Sequence, residues 1–97
     1  MKIIWSPRSK VQLIDIAEYI SLDKPEAAHR WLENVFQEVE KLKLFPKSGR
    51  KVPEINQEDI REIIFGNYRI IYKIEIDLII IASVRHGKQL LDKDELK

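Results

Sequence analysis

The chain has 97 residues, of which 44% are hydrophobic and 34% charged, with a formal net charge of +1 and no cysteine. A chain of this length builds one hydrophobic core, so residues 1–97 are expected to form a single two-layer domain. No run of about 18 apolar residues is present, which excludes a helical membrane span, and the lack of cysteine excludes disulfides and cysteine zinc sites.

The opening Met1-Lys2-Ile3-Ile4-Trp5 reaches Ser6-Pro7-Arg8 too soon to hold the apolar stretch of a signal peptide, so a cytoplasmic protein with no membrane partner is expected. The small net charge does not announce a nucleic-acid partner. Positive charge is nevertheless grouped, at Lys47, Arg50 and Lys51 and again at Arg85 and Lys88, while Glu33, Glu38 and Glu40 fall in a helical stretch. A solvated surface explains such a pattern as well as a binding surface does.

Lys2 to Trp5 reads as a short strand, rich in β-branched and aromatic residues. Ser6-Pro7 then starts a helix, a hydroxyl at the N-cap and proline at the first helical position. Its apolar side is Leu13, Ile16, Ala17 and Ile20, and it ends near Asp23. Pro25 opens a second helix with the stripe Ala28, Trp31, Leu32, Val35, Val39 and Leu42, stopped by Phe45-Pro46 because a residue before proline is pushed out of the helical region. The short link predicts an antiparallel helical hairpin. Trp31, Leu32 and Phe36 are more than so thin a domain needs inside, which leaves full burial or an exposed apolar patch on this helix as alternatives.

Residues 47–59 form a polar loop carrying Gly49 and Pro53. The period then becomes alternating. Ile60 to Phe65 is a strand, Gly66-Asn67 a two-residue turn of type II′, Tyr68 to Ile74 the returning strand, and Leu78 to Val84 an apolar run suited to a central strand. The order is β-α-α-β-β-β, an α+β fold with a helical hairpin on one face of a small, mostly antiparallel sheet.

With Gly66-Asn67 as the whole turn, Phe65 faces Tyr68, Ile63 faces Ile70 and Arg61 faces Tyr72 on the side that meets the helices. Glu62, Ile64, Arg69, Ile71 and Lys73 take the other side. An even-length second turn adds Ala82, Val84 and His86 to the Arg69 side, within reach of Arg50, Lys51 and Glu54. Arginine, histidine and carboxylate are parts for RNA cleavage: a base for the 2′-hydroxyl and a cation for the phosphorane charge. The structural alternative is a cross-strand ion pair of Arg69 with Glu62 or Glu54. No phosphate loop, serine-nucleophile elbow or metal-spaced histidine is present, so no cofactor or metal is expected.

The fragments Ile4-Trp5-Ser6, Ala17-Glu18-Tyr19-Ile20, Pro25-Glu26-Ala27-Ala28 with Trp31, Pro46-x-x-Gly49-Arg50-x-Val52-Pro53-Glu54, Ile60-Arg61-Glu62, Gly66-Asn67-Tyr68-Arg69-Ile70-Ile71-Tyr72 and Val84-Arg85-His86-Gly87 occur in one order along nearly the whole chain. In that order the sequence resembles the RelE/ParE superfamily of toxins of type II toxin–antitoxin systems. The resemblance implies a cognate antitoxin that docks in apolar grooves, with a higher-order toxin–antitoxin complex as a further expectation.

It implies one of two targets: the ribosome with its mRNA, cut by RelE-like members, or DNA gyrase, poisoned by ParE-like members. Arg69 matches the strand arginine of the ribonucleases, Glu54 resembles the loop carboxylate of a YoeB-like subgroup, and His86 lies within one residue of that subgroup's terminal histidine. The strand lysines of RelE fall at Ile60 and Glu62, and the ribonuclease aromatic after His86 is missing. Gly49-Arg50-x-x-Pro53-Glu54 with His86-Gly87 looks more like the ParE branch. The expectation is therefore a gyrase inhibitor whose target-binding residues are Arg50, Lys51, Arg61, Arg85 and Lys88. The alternatives are a ribosome-dependent endoribonuclease using Glu54, Arg69 and His86, and an inactive antitoxin-binding component.

Overall fold

The computed structural model describes residues 1–96. Strand β1 (Lys2–Trp5) leads into α1 (Pro7–Ser21) and α2 (Pro25–Glu40), followed by β2 (Arg50–Lys51), β3 (Ile60–Phe65), β4 (Tyr68–Glu75) and β5 (Leu78–His86). The sheet order is β1-β5-β4-β3-β2, with β1 parallel to β5 and the other pairs antiparallel. This is the α+β architecture expected. Two details differ: α2 gives way to a 3-10 turn at Lys41–Lys43 before proline is reached, and the loop after it contributes the two-residue edge strand β2.

Local chemistry accounts for the corners. Ser6 caps α1 by accepting from the Ser9 amide at 3.1 Å, with Pro7 at the helix start. Gly66 has φ 57, as the first residue of a type II′ turn requires, and Asn67 does not share the positive φ. At the β4–β5 turn Asp77 takes φ 58, a conformation that aspartate tolerates better than most residues.

The main core lies between the hairpin and the sheet: Leu13, Val35, Val39 and Leu42 from the helical side meet Ile70, Tyr72, Ile79, Ile81 and Val84. Trp31 and Leu32 pack against it, whereas Phe36 is 48% exposed and rests edge-on against Trp5. The helix thus partly buries two of the three residues and leaves the third largely exposed. A smaller core forms on the opposite, rear face from Val52, Ile60, Ile71 and Leu91. Its last member comes from the C-terminal segment, residues 87–96, which crosses the back of the sheet.

One irregularity decides which residues share that rear face. The β4–β5 turn is of even length, and pairing runs regularly from Glu75↔Leu78 to Tyr72↔Ile81. The next pair is Ile71↔Ser83, so Ala82 is an extra residue, a β-bulge that inverts the alternation beyond it. Ser6 holds the bulge in place: its amide donates to the Ile81 carbonyl at 2.9 Å and its hydroxyl to the Ala82 carbonyl at 3.2 Å. Ser83 and Arg85 consequently join Arg69 on the rear face. Val84 and His86 pair with Ile70 and Tyr68 and belong to the helical side, contrary to the expectation from turn length alone.

Candidate functional site

The rear face carries a connected group of buried charges. Glu62 is withdrawn from solvent on β3, and its two oxygens accept from Arg69 Nε at 2.6 Å and Arg50 Nε at 2.7 Å. Arg69, 3% exposed, also donates both Nη groups to Glu54, at 2.7 and 2.8 Å, in a bidentate pair. Its Nη1 further donates to the Gln89 carbonyl at 2.9 Å. Glu54 accepts in addition from the Leu91 amide at 2.9 Å. Both ion pairs that the sequence offered as alternatives form together.

The electrostatics follow from these bonds. Hydrogen bonding from Arg69, aided by the Leu91 amide and opposed by partial desolvation, holds the Glu54 carboxyl down at about 2. The same contact with Glu54, and that with Glu62, raises the Arg69 guanidinium further. A carboxylate so stabilised is a weak base, and an arginine so occupied has little left to offer a phosphate.

Arg85 lies beside Arg69 in the ladder and has its own anchors. Its Nε donates to Ser83 Oγ at 2.9 Å, Nη1 to the Leu90 carbonyl at 2.8 Å, and both Nη groups approach Glu95, at 3.2 and 3.3 Å. The Asp92 amide and then Arg85 lower the Glu95 carboxyl. Three backbone groups of the C-terminal segment are thereby tied to side chains of the sheet and loop, and Leu91 is sealed into the rear core at 4% exposure.

The other site candidates separate by exposure. His86 is on the helical side, edge-on to Tyr68, with Nδ1 accepting from the Lys88 amide at 3.2 Å. It does not meet Glu54 and Arg69. Arg61 is spent on the carbonyls of Glu58, Lys47 and Gly49 and on the Glu58 carboxylate, which it lowers. Arg61 and Arg85, both expected among the target-binding residues, are largely withdrawn from solvent and hydrogen-bonded within the chain. Arg50, Lys51 and Lys88 remain at the surface. Among the described residues no group of histidine, aspartate and glutamate is placed to hold a metal ion.

Two structural features escaped the sequence reading. Gly49 is packed so closely that a Cβ there would lie 2.6 Å from the Glu62 carbonyl and 2.6 Å from Tyr72 Oη. The buried Tyr72 hydroxyl donates to the Pro46 carbonyl at 2.7 Å and accepts from the Gly49 amide at 3.0 Å, and burial raises its pKa. The second is the anchoring of the C-terminal segment, signalled in the sequence by Leu91 and Leu96 among mostly polar residues.

Fold and rear face together define a small two-layer α+β protein in which Glu54, Glu62, Arg69 and Arg85 are committed to internal pairs. Comparison with family models agrees: the model described as ParE toxin of type II toxin–antitoxin system, parDE, matches residues 3–91, and the chain belongs to that family. Among solved structures, a chain of the chromosomal ParDE toxin–antitoxin system from P. aeruginosa superposes with a TM-score of 0.74 at 18% identity, covering 91% of this chain and 97% of that one. The comparison with curated proteins found no match.

Proposed function

We propose that this ParE-family toxin acts by engaging DNA gyrase, without cutting RNA, and that its cognate antitoxin silences it by binding. The observation that carries this reading is the closed Glu54–Arg69–Glu62 network: the two residues a ribonuclease would need as base and phosphate clamp neutralise one another, and His86 lies across the sheet. Arg50, Lys51 and Lys88 are the site residues left to meet a target, and Arg61 and Arg85 support them from within. The family's place in toxin–antitoxin systems supports the antitoxin as partner.

The test is purified toxin with supercoiled DNA, gyrase and ATP, run beside a ribosome–messenger cleavage assay. Gyrase-dependent linear DNA with intact message is the expected result. Cleaved message with normal gyrase turnover would overturn it and make Glu54, Arg69 and His86 the first positions to substitute.

A further inference from the structure

The two edges of the sheet are built differently. At one, β2 is two residues long and both are cations, Arg50 and Lys51, a combination that resists addition of a like strand. At the other, β1 runs Lys2-Ile3-Ile4-Trp5, with Lys2 its one charge. Met1 and Ile4 are 40% and 41% exposed, and Phe36, which rests on Trp5, stands half out of water along the same edge. An uncovered apolar edge of this kind is a template for another strand.

Backbone hydrogen bonding fixes which groups that edge offers. The Lys2 amide donates to the Asp77 carbonyl at 3.2 Å and the Ser6 amide to the Ile81 carbonyl at 2.9 Å, so the even-numbered residues of β1 turn toward β5. Ile3 and Trp5 therefore turn their N–H and C=O groups to the open edge. Against a second β1 running antiparallel, outward residues must meet outward residues, which puts a two-fold axis through a residue and never between two.

Four positions for the axis follow, and chemistry separates them. At Lys2 it sets lysine on lysine, and at Trp5 it sets Ile3 against Pro7, which has no N–H to give. At Ile3 it sets Lys2 against Ile4 and leans on Met1, outside the strand. At Ile4 it joins Ile3 to Trp5 through reciprocal N–H to C=O bonds, places Ile4 on Ile4, and sets Lys2 opposite Ser6 of the second copy.

The side chains fit that last register. Ile3 and Trp5 face the helices and Ile4 the rear, so apolar groups meet on both sides of the joined sheet. Between β1 and α2 lies a recess of about 260 Å³, lined by Met1, Ile3, Phe36, Val39, Glu40 and Lys43, in which Glu40 and Lys43 neutralise each other. The axis at Ile4 sets Trp5 beside Ile3 of the second copy, which turns Phe36 toward that copy's recess.

We infer that β1 is a self-pairing edge, on which two copies of the chain join antiparallel about Ile4 and merge their five-stranded sheets into one. A contact of one short strand with Met1 and Phe36 belongs at the small end of specific interfaces, so monomer and dimer exchange. The inference concerns the chain by itself and does not depend on the target.

The chain has no cysteine, so one introduced thiol reports one position. Facing residues that exchange no backbone bonds lie about 4.5 Å apart between Cα atoms, within disulfide range. Ile4→Cys is expected to cross-link to itself under mild oxidation roughly tenfold or more faster than Ile64→Cys, an exposed position on β3 that serves as the collision control. In analytical ultracentrifugation the wild-type chain is expected to rise from monomer toward dimer across the micromolar range. Ile4→Lys, which sets like charges face to face, is expected to remain monomeric, and an unchanged unfolding midpoint confirms that it folds.

Equal cross-linking of Ile4→Cys and Ile64→Cys would overturn the inference. So would a wild-type chain that stays monomeric at every concentration, or a dimer that Ile4→Lys leaves intact. Cross-linking of Lys2→Cys to Ile4→Cys in a mixture, in place of Ile4→Cys to itself, would move the axis to Ile3 and overturn the register. A monomeric wild-type chain whose antitoxin binding is lost in Ile4→Lys would give the edge to the antitoxin instead of a second copy.

Discussion

Arg69 has exchanged water for Glu54, Glu62 and a backbone carbonyl, and Glu62 has no solvent to fall back on. Removing one partner of a buried pair strands the other. Arg69→Ala is therefore expected to lower stability by about 3 to 5 kcal/mol, read from the urea midpoint. Glu54 adds a pH signature. Its folded value of about 2 lies below the ordinary 4.5, so its contribution is complete above about pH 4.5 and is lost as pH falls toward 2. Stability measured across that window should fall less steeply in Glu54→Gln than in the wild type. An equal slope would show that Glu54 is not a source of the acid sensitivity. At Gly49 the obstacle is volume: an added Cβ meets the Glu62 backbone carbonyl and the Tyr72 hydroxyl, both fixed, and Gly49→Ala is expected to cost about 1 to 3 kcal/mol or more by thermal or urea denaturation.

Among the elements, the C-terminal segment behaves differently from the helices and strands. It has no strand partner along residues 88–92, and it is held through Leu91 and by arginine and glutamate side chains reaching its backbone. Segments held by few contacts open locally before the whole molecule does. Leu91→Asp places a charge in the rear core, and amide exchange in residues 88–96 is expected to rise by roughly tenfold or more while α2 stays protected. Uniformly faster exchange would mean that the segment and the main core unfold as one unit. The bulge at Ala82 is the second consequential element. By inverting the alternation it puts two arginines, 69 and 85, side by side on one face, and each needs its own carboxylate, Glu54 with Glu62 for one and Glu95 for the other.

For the whole molecule, the front face is covered by the helical hairpin and much of the rear by the 52–59 loop and the C-terminal segment, while Ile64 on the rear stays 52% exposed. Lys51→Glu, which gives up a 3.9 Å surface contact with Glu58, and Lys88→Glu should each leave the unfolding free energy within about 1 kcal/mol of wild type. If these cations meet the target, each variant is expected to lessen gyrase poisoning in the supercoiled-DNA assay, most clearly at low ionic strength. Undiminished poisoning by the double variant would remove them from the target surface.

The elements themselves were legible from local chemistry. Ser6-Pro7, Pro25 and Gly66-Asn67 act through their own dihedral and hydrogen-bonding preferences, and periods of 3.6 and 2 report which side chains leave water, so every element but the two-residue edge strand β2, and the main core, could be read from neighbours in sequence. The same reasoning found the edge case of Arg69, Glu54 and Glu62 and left open whether they were a site or ion pairs. Only the folded chain decided that, because the answer depends on groups far apart in sequence: Glu54 reaches Arg69 across 15 residues, and the Leu91 amide reaches Glu54 across 37. It also depended on one unpaired residue. Ala82 bulges because Ser6, 76 positions earlier, binds its carbonyl, and no period within β5 carries that information. His86 moved to the other face for that reason, since strand alternation is a local rule and bulges are imposed by tertiary neighbours.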